Sequence, residues 1–288
     1  MTSDFQQTAI WGGEAGGVQL DAWRNQLTEP SVLPPQGDPP RVAGNKWIRG
    51  YIAGHKVVDS RQFTFVWEIP YWPWWFFARD DIAADLVERT DAEPTNSAAA
   101  GATRYDLVVG DQTLENAAWG HPQRTDELAD LVAIEFEALD HWFEEDVEVF
   151  VHPRGPFTRV DALASSRHVT VSIDGTVLAE STKPTVLFET GVPARYYLPM
   201  TDVRMDLLQT SDRRSSCPYK GDAQFWSAHV ANRTVDDIAW SYTLPRHESL
   251  AIAGLVCFYD ELVDIDIDGI RQSRPITHFT AGSADTDR

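Results

Sequence analysis

The feature that most limits how this chain folds is that it resembles itself. Shifted by 121 positions, Ile52 falls on Ile173, Gly54 on Gly175, Ser60 on Ser181 and Glu68 on Glu189. The same shift, without a gap, pairs Asp81 with Asp202, Asp85 with Asp206, Leu86 with Leu207, Thr113 with Thr234 and Trp119 with Trp240. Aromatic residues also match in kind: Trp67 with Phe188, Trp75 with Tyr196, Phe76 with Tyr197. One register held over so long a stretch marks a tandem duplication. The 288 residues then divide into an irregular, Pro- and Gly-rich arm over 1–45, a first copy over 46–160 and a second over 167–280. The short join leads us to expect close packing between the copies.

The second copy reads as mostly strands. His168 to Ile173 alternates with period two, Asp174-Gly175 supplies a hairpin turn, and Val177 to Ser181 returns. Thr185 to Glu189, Arg195 to Leu198, Ala223 to Val230, Ile238 to Thr243 and Gly254 to Tyr259 are further strands, and Asp268-Gly269 a last turn. Val203 to Leu208 reads as a short helix capped by Asp202. In the first copy, Thr125 to Glu145 reads as helical. Short strands at this spacing point to a mainly β barrel or sandwich with short helices.

Composition excludes some functions. A formal net charge of −20, with no basic cluster larger than Arg213-Arg214, argues against nucleic acid and anionic membranes as partners. Ile69 to Ala78, the most apolar window, is too short to span a bilayer, and the N-terminus does not read as a signal peptide. Two Cys residues fit a reducing cytoplasm better than a disulfide framework. No His or Cys spacing suggests a metal, and no cofactor motif is present.

The duplication provides an internal control. Glu189, Asp202, Asp206 and Trp240 have identical counterparts in the first copy; Trp240 reads as core more readily than as a stacking platform. Other positions are chemically armed only in the second copy. Arg195 faces Trp74, Arg204 faces Ala83, Cys217 faces Asn96, Lys220 faces Ala99 and Tyr242 faces His121. Glu189 and Asp202 of the shared set, with Cys217, Lys220 and Tyr242, are the candidate catalytic residues; Arg195, Arg204, Tyr197 and Trp240 are the candidate substrate-binding residues. Within Cys217-Pro218-Tyr219-Lys220-Gly221, a thiol beside a cation ionises more readily and becomes nucleophilic. Cys217 equally fits the wall of a pocket or plain core. Lys220 fits a general acid, an anion binder, or a salt bridge to Asp202 or Glu189. Cys257 reads as core, and the scattered His residues, His152 among them, as surface or structural. The aromatic run Tyr71 to Phe77 of the first copy fits an interface between copies better than an apolar ligand pocket.

Several segments carry a family resemblance: Glu189 with Pro193-Ala194-Arg195-Tyr196-Tyr197-Leu198-Pro199, Asp202-Val203-Arg204-Met205-Asp206-Leu207-Leu208, Cys217 to Gly221, Ala239-Trp240-Ser241-Tyr242 and Ile252-Ala253-Gly254. On these the second copy resembles the bacterial and fungal family catalogued as domain of unknown function 427, and the first copy resembles a divergent version of it. The resemblance implies a tent-like β fold of the type seen in a zinc-binding exchange-factor protein. Zinc itself is not implied, since paired Cys-x-x-Cys ligands are missing. A nucleotidyltransferase label attached to the family finds no support in a Gly-Ser…Asp-x-Asp pattern or a phosphate loop here. The expectation is an enzyme acting on a small polar or anionic metabolite through a pocket in the second copy, its reaction (hydrolase, lyase or isomerase) open. The alternatives are a non-catalytic small-molecule binder or sensor and a structural or protein-interaction module.

Overall fold

A computed structural model describes residues 37–69, 72–90, 101–230 and 233–277. The chain divides into two compact units, one up to Glu148 and one from Val149 onward. Both are mainly β, as expected, and each contains two sheets.

In the first unit the larger sheet has the strand order β1 (Arg41–Gly44), β4 (Phe63–Val66), β5 (Trp74–Ala78), β9 (Leu131–Ile134), β8 (Gln112–Gly120), β7 (Thr103–Val109), β6 (Asp85–Glu88). The smaller has β11 (Val147–Val149), β10 (His141–Glu144), β2 (Ile48–Ile52) and β3 (His55–Ser60). In the second unit the larger sheet runs β12 (Val160–Ala164), β15 (Thr185–Glu189), β16 (Arg195–Leu198), β20 (Val256–Phe258), β19 (Arg233–Tyr242), β18 (Gly221–Val230), β17 (Leu208–Cys217). The smaller runs β14 (Thr176–Ser181), β13 (Val169–Ile173), β21 (Asp264–Ile267), β22 (Ile270–Arg271). The two orders are the same, so the duplication visible in the sequence is also a duplication of topology. The sheets start earlier than the sequence register marks: β1 pairs with β4, and β12, over the supposed join, pairs with β15.

Even the irregularities repeat. Asn116 and Asp237, matched by the 121-residue shift, both take positive φ (55° and 52°) where the register of their hairpins slips. Each backbone N–H, released from the ladder by the bulge, donates to a side chain: Asn116 to Asp106, and Asp237 to Ser227, the matched position. Asp174-Gly175 and Asp268-Gly269 have positive φ throughout, as two-residue hairpin turns require.

In the second unit the larger sheet is covered on both faces. One core joins it to the smaller sheet through Val171, Leu178, Leu198, Trp226, Ile238, Phe258 and Ile265. The other face carries Leu187, Tyr197, Phe225, Trp240, Tyr242 and Cys257, with Ile252 of a 3-10 turn packed against them. Strand alternation sorts the residues: Tyr197 belongs to the second face and Leu198 to the first.

Three sequence expectations are corrected. Thr125 to Glu145 is not a helix: it runs through the 3-10 turn Glu127–Asp130, strand β9, the 3-10 turn Phe136–Ala138 and strand β10. Asp202 caps no helix; it ends the 3-10 turn Met200–Asp202, and its carboxylate accepts from Ser181 Oγ at 2.7 Å. The aromatic run is a core strand of its own unit. Trp74 and Phe76 pack edge-on to Trp119, while Trp75 and Phe77 pack on Trp142 from the opposite face of β5. Tyr71 lies outside the described residues.

Candidate functional site

Several strands of the second unit end at one place. Glu189 is the last residue of β15, Cys217 of β17 and Tyr242 of β19. Lys220 stands on the turn that joins β17 to β18, closed by pairing of Cys217 with Gly221. Gly221 is required there: its φ is +92°, and a Cβ would lie 3.2 Å from the Leu244 carbonyl oxygen. The turn is pinned on both sides. Arg246 N–H donates to the Lys220 carbonyl, Ser249 Oγ to the Tyr219 carbonyl, and the Tyr219 hydroxyl accepts from Gly155 N–H.

From this support Lys220 Nζ donates to Glu189 Oε2 in a short ion pair. The two side chains keep 13% and 14% of their exposure, so the pair is sheltered without being sealed. Tyr242 is buried beside it; burial holds its phenol well above the ordinary range, and the neighbouring Cys217 and Glu189 push in the same direction. Its hydroxyl has no hydrogen-bond partner among the described residues, and its proton stays on at any physiological pH. His152 also faces the pair. Burial draws its imidazole below the ordinary range, Glu189 opposes this and Lys220 adds to it. The sequence comparison sets His152 at the end of the first copy, opposite Ser273, whereas the structure puts it in the second unit; Nδ1 donates to the Pro153 carbonyl at 2.8 Å.

The remaining candidates have other partners. Arg195 is buried and donates to both carboxylate oxygens of Glu261, at 2.8 and 2.7 Å, with Asp260 3.2 Å away. Its guanidinium lies over the rings of Trp240 and Tyr259. Arg195 is held by internal carboxylates and does not join the Glu189–Lys220 pair. One arginine treats its two neighbours differently. Glu261 is lowered: its bidentate bond outlasts its burial, whereas Asp260, buried and poorly aligned, is raised to about 6. Arg204 is 57% exposed and pairs with Asp206, and its backbone N–H bonds Leu178. Asp202 is tied to β14 through Ser181. Neither joins the Glu189–Lys220 pair. Trp240 is core, its indole N–H donating to the Tyr197 hydroxyl at 3.1 Å. Tyr197 is likewise buried, its phenol raised by desolvation. Cys257 is core, as expected. A cavity of about 160 Å³ opens elsewhere in the unit, lined by Pro193, Tyr196, Asp260, Ile267 and Pro275 among others. That is below the several hundred Å³ usual for a ligand site.

The matched place in the first unit is built differently. Glu68, whose side chain is fully buried, accepts from Trp119 Nε1 at 2.7 Å and from His121 Nε2 in a short bond. Asn96 and Ala99, opposite Cys217 and Lys220, lie outside the described residues.

The model of one family, described as a domain of unknown function (DUF427), matches residues 43–145 and again 161–269. The chain belongs to this family. Both matches fall on the two β units, so the DUF427 domain occurs here twice in tandem. No curated protein matches the chain. Among the described residues no group of three or more His, Cys, Asp or Glu side chains is placed to hold a metal, and no helix is long and apolar enough to cross a membrane.

Proposed function

We propose that the second DUF427 copy is the working half of an enzyme that moves a proton on a small, polar, anionic organic molecule. The observation that carries this reading is the Glu189–Lys220 pair at the strand ends, bordered by Tyr242, Cys217 and His152. A carboxylate and an ammonium held against each other are an acid and a base waiting for a third party. An anionic group on the substrate competes with Glu189 for the Lys220 ammonium. The released carboxylate then accepts a proton, and the Tyr242 hydroxyl, kept protonated by burial, donates a hydrogen bond to charge that develops on oxygen. Cys217 stands at the rim, where a covalent step is compatible with the site and not needed by it. The resemblance implies a tent-like arrangement of the two sheets, and the two free thiols suit a reducing compartment.

Incubating the whole chain with a metabolite extract and following loss of species by mass spectrometry tests the reading. Turnover that vanishes in Glu189→Gln and Lys220→Ala, with the melting point within a few degrees of wild type, is the expected result. Compounds that bind and are never converted leave the non-catalytic binder in its place. Unfolding of both variants makes the pair a brace of the protein-interaction module.

A further inference from the structure

The small cavity of the second unit, which no part of the proposed function uses, occupies a place that the first unit gives to aromatic rings. Its walls include Tyr196 of β16, Asp260, Ile265 and Ile267 of β21, Gln272 and Pro275. Strand pairing fixes their counterparts. Ile265 pairs with Val171 and Trp142 with Gly50, and the 121-residue shift matches Gly50 to Val171. Tyr259 N–H donates to the Ile238 carbonyl and Glu135 N–H to the Ala117 carbonyl, again matched positions, so the next residues, Asp260 and Phe136, correspond. Tyr196 matches Trp75 directly. In the first copy Trp75, Phe136 and Trp142 pack on one another, their centroids 5.6, 5.7 and 6.2 Å apart. In the second copy a phenol, a carboxylate and an aliphatic side chain stand in those places, and about 160 Å³ opens. That is small for a metabolite, but a cavity of about 150 Å³ admits one benzene ring.

The wall that follows β22 is fastened at both ends. Gln272 N–H donates to the Ile265 carbonyl at 2.8 Å and its Nε2 to the Ile270 carbonyl at 2.7 Å, while Thr277 Oγ1 donates to Glu261 Oε1 at 2.7 Å. One carboxylate lines the cavity. Asp260 keeps 14% of its side-chain exposure, and Arg195, 3.2 Å away, already donates to both oxygens of Glu261. Arg195 stays charged and Glu261 ionised, so these two cancel. Asp260, pushed up by burial to about 6, is ionised at neutral pH and is left over. The phenol of Tyr259, raised by burial, adds no charge. Asp264 and Asp266 alternate to the other face of β21, where Arg271 and Arg274 pair with them. We propose that this cavity binds a small cation built as one aromatic ring with a short ammonium arm: the ring takes the space of the Trp142 indole, and the ammonium meets Asp260.

The test titrates the full chain, its isoleucine methyl groups isotope-labelled, with benzylamine, benzyl alcohol and benzoate at about pH 7.5, where Asp260 is ionised. Benzylamine is expected to shift the Ile265 and Ile267 methyl signals saturably, the alcohol to bind about tenfold more weakly or worse, and benzoate not to bind. Asp260→Asn is expected to reduce benzylamine to the affinity of the alcohol while keeping the melting point at or above that of wild type. Ile265→Trp, which restores the ring of the first copy, is expected to abolish both. A wild-type chain whose Ile265 and Ile267 signals show no saturable shift with benzylamine overturns the site, and needs no variant that has to fold. Benzylamine bound no better than the alcohol or benzoate, or bound as tightly by Asp260→Asn as by wild type, overturns the assignment to a cation. Glu189→Gln is expected to bind benzylamine as wild type does, so failure here and failure of the enzyme reading are separate results.

Discussion

The two copies keep one tryptophan in the same place and surround it in opposite ways. In the first unit Arg104, on β7, lies 5.2 Å over Trp119, with Glu135 as its counter-ion and Trp74 packed edge-on. In the second, Arg195 approaches Trp240 from β16, with Glu261 as counter-ion. The position of Arg104 is taken by Phe225, and that of Trp74 by Arg195. A cation on the indole face is kept, and its strand of origin is exchanged. The indole N–H is redirected as well. Tyr197 supplies a hydroxyl acceptor in the second copy; Phe76 has none, so Trp119 turns to Glu68. The comparison teaches that a duplicated core conserves a requirement, here a cation over the ring and an acceptor for the N–H, more strictly than the residue that meets it.

Replacing one arginine at a time breaks the comparison most severely. Arg195→Met leaves Glu261 buried without its bidentate partner and is expected to cost about 3–5 kcal/mol. Arg104→Met should cost less, since Glu135 is 20% exposed and can be hydrated. Denaturant-dependent hydrogen exchange of β18 and β7 amides assigns each loss to its unit. Asp260 has no equivalent carboxylate pressed on Arg104, and its effect depends on pH. With a folded value near 6, above the unfolded one, the folded state holds the proton longer. Stability from this group is complete below about pH 4 and is lost as pH rises through 6. Asp260→Asn should therefore match wild type at low pH and exceed it at pH 8 by up to about 3 kcal/mol, two units at 1.4 kcal/mol each. Equal pH profiles for both proteins sink the claim. Trp119→Phe removes a donor from a buried carboxylate and is expected to cost about 2 kcal/mol, against about 1 kcal/mol for Trp240→Phe, whose acceptor is a neutral hydroxyl. Equal losses in urea unfolding would erase the distinction drawn between the two acceptors.

Much of the fold was legible because alternation and turn chemistry leave local marks. β15 and β16 fall on Thr185–Glu189 and Arg195–Leu198, as read from the sequence. The ten-residue β17 was missed for a physical reason. It is the edge of its sheet and mostly exposed, so Leu208 to Cys217 shows no apolar alternation, and only pairing with β18 makes it a strand. The false helix at Thr125–Glu145 shows the converse: short buried strands between 3-10 turns imitate helical periodicity. Within the site, comparing the copies singled out Lys220, Cys217 and Tyr242; Glu189 is shared with the first copy, and a salt bridge of Lys220 to it was among the alternatives. The structure pairs Arg195 with Glu261 instead, and a second-copy-only arginine looks the same in sequence whether it meets a ligand or a carboxylate 66 residues later. Asp202 and Arg204 likewise have partners outside the Glu189–Lys220 pair. Their short polar partners, Ser181 and Asp206, carry no sequence mark of function.

The turn bearing Lys220 is fastened almost entirely through main-chain atoms: carbonyls of residues 219 and 220, and the tight passage at Gly221. A mount of that kind is indifferent to the cargo at its tip. Evolution, or an engineer, can swap the ammonium there for another head group and find it delivered to the same coordinates.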